Sequence, residues 1–175
     1  MANDYLTQLH RVWSHAVQAY RSGERDQARL FSDADRTFLA SIGQNTQELF
    51  DYAEDFANGG DPDFTTMALV AEIRRRYFLE VQQGKLSGKT LDSSSLPAKT
   101  DETDGIVWLP RILPKARAKL RGELPPETMY GCGGDRRFFR ENGLHPAELL
   151  LVVWQYGDNH AAIIDWVKSR RPVTV

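Results

Sequence analysis

The feature that most constrains this chain is a pattern that returns one hundred residues later. The stretch DRRFFRENGLHPAELLLVVWQYGDNHAAIIDW from Asp135 to Trp166 is echoed, in its first half, by DRTFLASIGQNTQELFDYA from Asp35. Aligned without gaps from Leu6 to Leu49, ten of forty-four positions are identical. The pairs are Leu9/Leu109, Arg11/Arg111, Ala16/Ala116, Arg21/Arg121, Asp35/Asp135, Arg36/Arg136, Phe38/Phe138, Gly43/Gly143, Glu48/Glu148 and Leu49/Leu149. After NGGDPD at Asn58 to Asp63 the offset becomes 94, which sets Leu69, Val70 and Ile73 against Ile163, Ile164 and Val167. An apolar pattern that keeps step while identities fade is the trace of one fold written twice. The expectation is an all-α protein of two tandem, related four-helix units: residues 1–84, a linker or strap over 85–105, and residues 106–175, packed as a pseudo-twofold pair.

The helices follow from period and punctuation. Leu6, Leu9, Val12, Trp13, Ala16 and Tyr20 recur every three or four residues behind a capping Asp4 and end near Ser22-Gly23. Asp35 is placed to cap a short helix carrying Phe38, Leu39 and Ile42, with Gly43 as its left-handed terminator. Asn45 caps the next, with Glu48 three residues on, and NGGDPD stops it. A longer helix runs through Met67, Val70, Ile73, Tyr77 and Val81 to Gly84. The segment KLSGKTLDSSSLPAKTDETDG is poor in apolar residues and reads as a linker or extended strap. Beyond it Ile106, Leu109, Ile112, Leu113, Ala116 and Leu120 line one helical face, with Pro110 and Pro114 setting or kinking its first turn. A short helix with Phe138 and Phe139 ends at Asn142-Gly143; His145 and Pro146 start the apolar AELLLVVWQY helix, and Asp158 caps the last. No segment sustains period-two alternation.

Composition narrows the function classes. The chain of 175 residues is 41% hydrophobic and 26% charged, a balance for a globular core. No apolar run approaches the roughly 18 residues of a membrane span, and MANDYLTQLHRVW lacks the build of a signal peptide, so a cytoplasmic protein is expected. The single cysteine, Cys132, excludes an internal disulfide. The four histidines, His10, His15, His145 and His160, form no i, i+4 pair, and no metal or cofactor is expected. Residues 1–105 hold 11 Lys and Arg against 17 Asp and Glu, whereas residues 106–175 hold 11 against 7. Oppositely charged halves mark attracting units or two partner surfaces.

Most repeated residues have structural work, since Asp35 and Asp135 cap, Gly43 and Gly143 terminate, and Leu and Phe fill the core. Arg36 and Arg136 lack such a reason. An arginine in a helix's first turn opposes the positive end of the dipole, at roughly 0.3–1 kcal/mol. Either a carboxylate such as Glu48 or Glu148 pairs with it, or the arginine belongs to an anion or phosphate site. Arg11 and Arg111, set amid apolar positions, carry the same two readings.

The second unit is where a family resemblance lies. It is carried by GIVWLPRILPKARAKLRGE at Gly105 to Glu123, YGCGGDRRF at Tyr130 to Phe138 and ENGLHPAELL at Glu141 to Leu150. These resemble a bacterial family catalogued only as a domain of unknown function, DUF 5069. The resemblance implies a leucine-proline-arginine start, here Leu109-Pro110-Arg111, and a KARA helix at Lys115 to Ala118. It further implies a tyrosine and cysteine, Tyr130 and Cys132, before an acidic turn at Asp135, with Gly143 ahead of the next helix. It implies no activity. The first unit departs where Phe31 and Ser32 stand for Gly131 and Cys132, and His10 for Pro110, so thiol chemistry would belong to the second unit alone.

Three function classes follow. A non-enzymatic binding or interaction module, taking a protein partner or a small anion, is the leading expectation. The alternative is a small-molecule or anion-binding enzyme using the loop from Tyr130 to Arg136, with Cys132 as candidate nucleophile. That cysteine sits in a glycine-rich loop just before a helix start followed by Arg136 and Arg137, a setting that activates a thiol, although no histidine is placed beside it in sequence to act as base. The candidate binding residues are Arg11, Arg36, Arg111, Tyr130, Asp135 and Arg136. The third class is a nucleic-acid-binding helical module, suggested by Arg74, Arg75 and Arg76 and by a basic face of Arg111, Lys115 and Lys119. It is disfavoured by a pI near 6.1 and by the 100° fan of three successive helical residues.

Overall fold

A computed structural model describes residues 4–172. The chain divides into two compact units, Met1–Leu86 and Ser87–Val175, and each is described by itself. The fold is mostly helical.

The first unit holds α1 (Asp4–Arg21), α2 (Gln27–Leu30), α3 (Asp33–Ser41), α4 (Thr46–Gly59) and α5 (Phe64–Glu80). It thus has one helix more than the periodicity predicts. The extra one, α2, is a single turn started by Asp26, whose carboxylate accepts from the Ala28 amide at 2.9 Å. Four residues are too few to show a period. The 3.6-residue stripe of α1 buries Leu9, Val12 and Ala16, and α1 packs on α4 and α5. Trp13 rests against Phe56 and Phe64, with ring centroids at 4.8 and 5.3 Å. Asn45 caps α4 as its spacing predicts, accepting from the Glu48 amide at 2.8 Å.

The cap of α3 differs from expectation. Ser32, not Asp35, is the capping residue: its hydroxyl accepts from the Asp35 amide at 3.2 Å, and the Asp35 carboxylate accepts in return from the Ser32 amide at 3.1 Å. This is a capping box in which Asp35 plays the role of the third helical residue. Gly43, at φ +72°, ends the helix, and a Cβ there would meet the Phe78 ring at 2.7 Å, so both backbone and packing demand glycine.

The second unit holds a 3-10 turn at Ser93–Ser95, antiparallel strands β1 (Glu102–Thr103) and β2 (Ile106–Val107), and then α6 (Leu109–Arg121), α7 (Gly133–Glu141), α8 (Pro146–Tyr156) and α9 (His160–Arg170). The two-residue strands correct a wholly α-helical reading, and Ile106 lies on β2, not on the helix face assigned to it. The helix begins later because Trp108 takes a left-handed turn at φ +75° and Pro110 then sits near the start of α6. Helix α6 packs on α8 and α8 on α9 around Leu109, Ile112, Ala116, Leu149, Leu150, Ile163 and Val167, all fully buried. His145 caps α8 through Nδ1, which accepts from the Ala147 amide at 3.2 Å. Asn159 caps α9, accepting from the Ala162 amide at 3.2 Å; the expected cap, Asp158, lies one residue too early.

Residues 85–105 do more than link. The Leu91 amide donates to the Glu123 carbonyl at 2.8 Å, the Trp108 amide to the Asp101 carbonyl at 3.0 Å, and Leu96 is buried. From Leu91 onward the strap is part of the second unit.

Both ends of α7 fall one hundred residues after those of α3, and α8 starts one hundred after α4. The last pair does not keep the offset of 94. Its caps, Asp63 and Asn159, are ninety-six apart. At that spacing buried Met67 and Ala71 meet buried Ile163 and Val167, whereas Leu69, the partner expected for Ile163, is 48% exposed.

Candidate functional site

The start of α7 in the second unit brings together most of the residues singled out there. Helix α7 follows Cys132, whose backbone (φ −60°, ψ 169°) nearly matches that of Ser32 (φ −69°, ψ 164°), but whose side chain makes no capping bond. Asp135 is again the third residue. Its carboxylate is completely buried and accepts from three donors: the Trp108 Nε1 at 2.8 Å, the Lys115 Nζ at 2.5 Å and the Gly131 amide at 2.9 Å. A buried charge so enclosed is a structural anchor for the loop.

The anchor fixes what surrounds it. Lys115 is 3% exposed, and its Nζ lies 3.4 Å from the Cys132 Sγ as well as on Asp135. The Trp108 indole, tethered by Nε1, lies so close to Gly134 that a Cβ there would stand 2.4 Å from the ring. Only glycine admits that approach. Arg111 donates to the Pro97 carbonyl at 2.6 Å, which fastens the strap, and its guanidinium lies 5.9 Å from the Trp108 ring centroid.

These groups border a cavity of about 490 Å³. Its cationic side chains are Lys99, Arg111, Lys115 and Arg137, and its acid is Glu127. Trp108, Met129 and Thr128 supply less polar wall, and Cys132, Gly133 and Gly134 place the start of α7 on its border. Among the described residues no group of three His, Cys, Asp or Glu is set to hold a metal ion, and no helix is long and apolar enough to cross a membrane.

Of the sequence-derived candidates, Arg111 and Cys132 line the cavity, with Asp135 behind Lys115. Tyr130 is buried, and its hydroxyl donates to the Pro146 carbonyl at 2.8 Å. Arg136 turns back to donate to the Gly131 carbonyl at 2.8 Å. Arg36 does the same in the first unit, donating to the Phe31 carbonyl at 2.7 Å and to Ala28 at 3.1 Å, with Asp33 at 3.7 Å. Both arginines thus satisfy the carbonyl five residues earlier. That contact offsets the unfavourable dipole position, and the partner of Arg36 anticipated as Glu48 is replaced by backbone oxygens and Asp33. Arg11 pairs with Asp35 at 2.6 Å. Burial pushes the Asp35 carboxyl up, but hydrogen bonds from Ser32 and Arg11 outweigh it and hold the group below its usual range.

The basic residues behind the nucleic-acid reading do not form a face. Lys115 and Lys119 are buried, Arg74 is buried and donates to Gln82 at 2.7 Å, Arg75 pairs with Glu72 and Arg76 with Glu80. Trp108, Lys99, Met129 and Arg137 were missed as site residues. A signal for two of them exists in the alignment of the two halves: where Trp108 and Arg137 stand the first half has Gln8 and Thr37, just as it has His15, Ser32 and Ala34 for Lys115, Cys132 and Gly134.

Residues 94–174 match the model of the family described as Domain of unknown function (DUF5069). That match supports the family resemblance of the second unit, and it begins within the strap, in agreement with the strap's bonding to the helices behind it. Neither a curated protein nor a solved structure matches the chain.

Proposed function

We propose that the second unit is a binding module for a small anionic molecule, held in the cavity at the start of α7. The observation that carries this reading is the lining itself: four cationic residues and one acid line about 490 Å³, a volume within the range of small-molecule pockets. The uncapped start of α7 adds its backbone amides and the positive end of its dipole. Asp135 and Arg136, which a catalytic site at this loop would have used, are spent on holding it.

A catalytic second reading rests on one distance, the 3.4 Å between Lys115 Nζ and Cys132 Sγ at the cavity wall. It would make Cys132 a nucleophile toward the bound molecule.

The same proposal includes a tandem duplication, supported by the hundred-residue spacing of α3 and α7 and by the matched bonds of Arg36 and Arg136. On it, the first unit kept the fold and never had, or lost, the cavity residues.

A panel of small oxyanions and carboxylates, followed by thermal shift on the full chain, tests the binding reading. Several anions should raise the melting temperature, and Arg111→Ala should abolish the rise. A panel with no shift in the parent protein sinks the proposal.

A further inference from the structure

The cavity's chemistry goes beyond a generic anion. We infer that its ligand is a small organic phosphomonoester; the inference rests on the anion-binding reading above. Size comes first. A bare oxyanion occupies only a few water volumes of about 30 Å³ each, so in a cavity of about 490 Å³ it would leave most of the space unfilled. The site has room for an organic body attached to the charged head.

Charge sets the head group. Asp135 neutralises Lys115 from behind, and Glu127 offsets one more cation, which leaves an excess of two positive charges for the ligand to meet. The Arg137–Glu141 pair, 4.0 Å apart and exposed on both sides, takes little from that excess. A doubly charged group fits; a single carboxylate leaves a cation uncompensated.

The kinds of donor then separate phosphate from a pair of carboxylates. Arg111 and Arg137 present guanidinium forks, Lys99 presents an ammonium, and Gly133 and Gly134 present main-chain amides at a helix start. Donors of three kinds around one cavity suit a compact head with three equivalent oxygens. In the same lining, Trp108, Met129 and Thr128 suit an organic body. The Trp108 indole is fixed by its bond to Asp135 and by its seat on Gly134, so that part of the lining is formed before any ligand arrives.

Calorimetric titration of the full chain with inorganic phosphate, glycerol phosphate, phenyl phosphate and malate tests this. The phosphomonoesters should bind at least about tenfold more tightly than inorganic phosphate or malate, the scale of one charge-assisted hydrogen bond plus a filled wall. Their affinity should rise between pH 5 and pH 7, as the phosphate loses its second proton near pH 6. Lys99→Ala, at an exposed position, should weaken them about tenfold, while Arg117→Ala, whose side chain bonds the Gly157 carbonyl away from the cavity, should not. Malate binding as tightly as the esters, or inorganic phosphate equalling them, overturns the phosphomonoester while leaving the anion-binding reading in place. No binding by any of the four overturns both.

Discussion

Asp35 and Asp135 hold the same place in their helices, but the cation that meets each comes from a different position. Arg11 reaches Asp35 from a side chain that is 60% exposed, a contact worth about 0–1 kcal/mol. Lys115, four positions beyond the counterpart of Arg11, reaches Asp135 with both side chains almost fully buried, where loss of one partner costs about 3–5 kcal/mol. Arg111, released from the aspartate, is free to hold the strap and face the cavity. A third carboxylate shows the cost of burial without a cation. Asp51 on α4 accepts from Gln47 at 2.7 Å; burial, aided by Glu54, Glu48 and Asp55, raises its pKa to about 6. The folded pKa lies above the unfolded value of about 3.9, so this group's contribution to stability is full below pH 4 and is lost as pH rises through 6. Asp51→Asn keeps the bond from Gln47 and removes the charge. The variant should be more stable than the parent at pH 7 by about 1 kcal/mol, allowing for the partial exposure of the group, with the difference shrinking toward pH 4. Urea unfolding at both pH values measures it, and a gain equal at pH 4 and pH 7 would count against the assignment.

At the scale of the element, α3 and α7 are the informative comparison. They have the same length and the same capping backbone, yet Ser32 accepts a hydrogen bond that the thiol of Cys132 does not. Sulfur is a weak acceptor. Cys132→Ser should therefore supply a missing cap, stabilising the chain by about 1 kcal/mol and raising its melting temperature by about 2–4 °C. A calorimetric scan decides: an unchanged or lower midpoint would show that the two helix starts are not equivalent. The same helices show what a sequence reveals. Period and glycine terminators locate α1 and α3 to α9 because a buried stripe and a left-handed end leave residue-type marks. Caps slid by one to three residues, since Ser32, Asp33 and Asp35, or Asp158 and Asn159, are all competent and only geometry selects among them. Helix α2 and the two-residue strands are shorter than any period. Lys115 and Lys119 read with Arg111 as a basic face because burial of a lysine depends on a distant aspartate or on packing that spacing does not encode. The cavity was half legible: Arg111 and the Cys132 loop drew notice, but identity between the halves pointed to shared structure, whereas the site is lined largely by what the halves do not share.

Across the whole chain, the boundary between the units falls after Leu86, not after the strap. Composition alone placed the strap outside, because KLSGKTLDSSSLPAKTDETDG has too few apolar residues to look like part of a core. Several of its polar groups are nonetheless paired. Asp92 accepts from the Ser94 amide at 2.9 Å, Ser93 bonds the Glu127 carboxylate, Arg111 holds Pro97, and Asp101 accepts from the Ala98 amide at 2.9 Å. Lys99, carried on the same strap, contributes to the cavity. A fragment of residues 87–175 should accordingly fold alone, with a helical far-UV spectrum and a single cooperative melt, because it keeps the buried core of α6, α8 and α9 and the strap bonds described above. A fragment of residues 106–175 loses the acceptor of Arg111, the partner of the Trp108 amide and buried Leu96. Each lost hydrogen bond is worth roughly 1 kcal/mol and the lost burial of Leu96 roughly 2 kcal/mol. The shorter fragment should melt well below the longer one, or not fold at all, and should fail to bind any anion that the longer one binds. Equal melting temperatures for the two fragments would return the strap to the status of a linker.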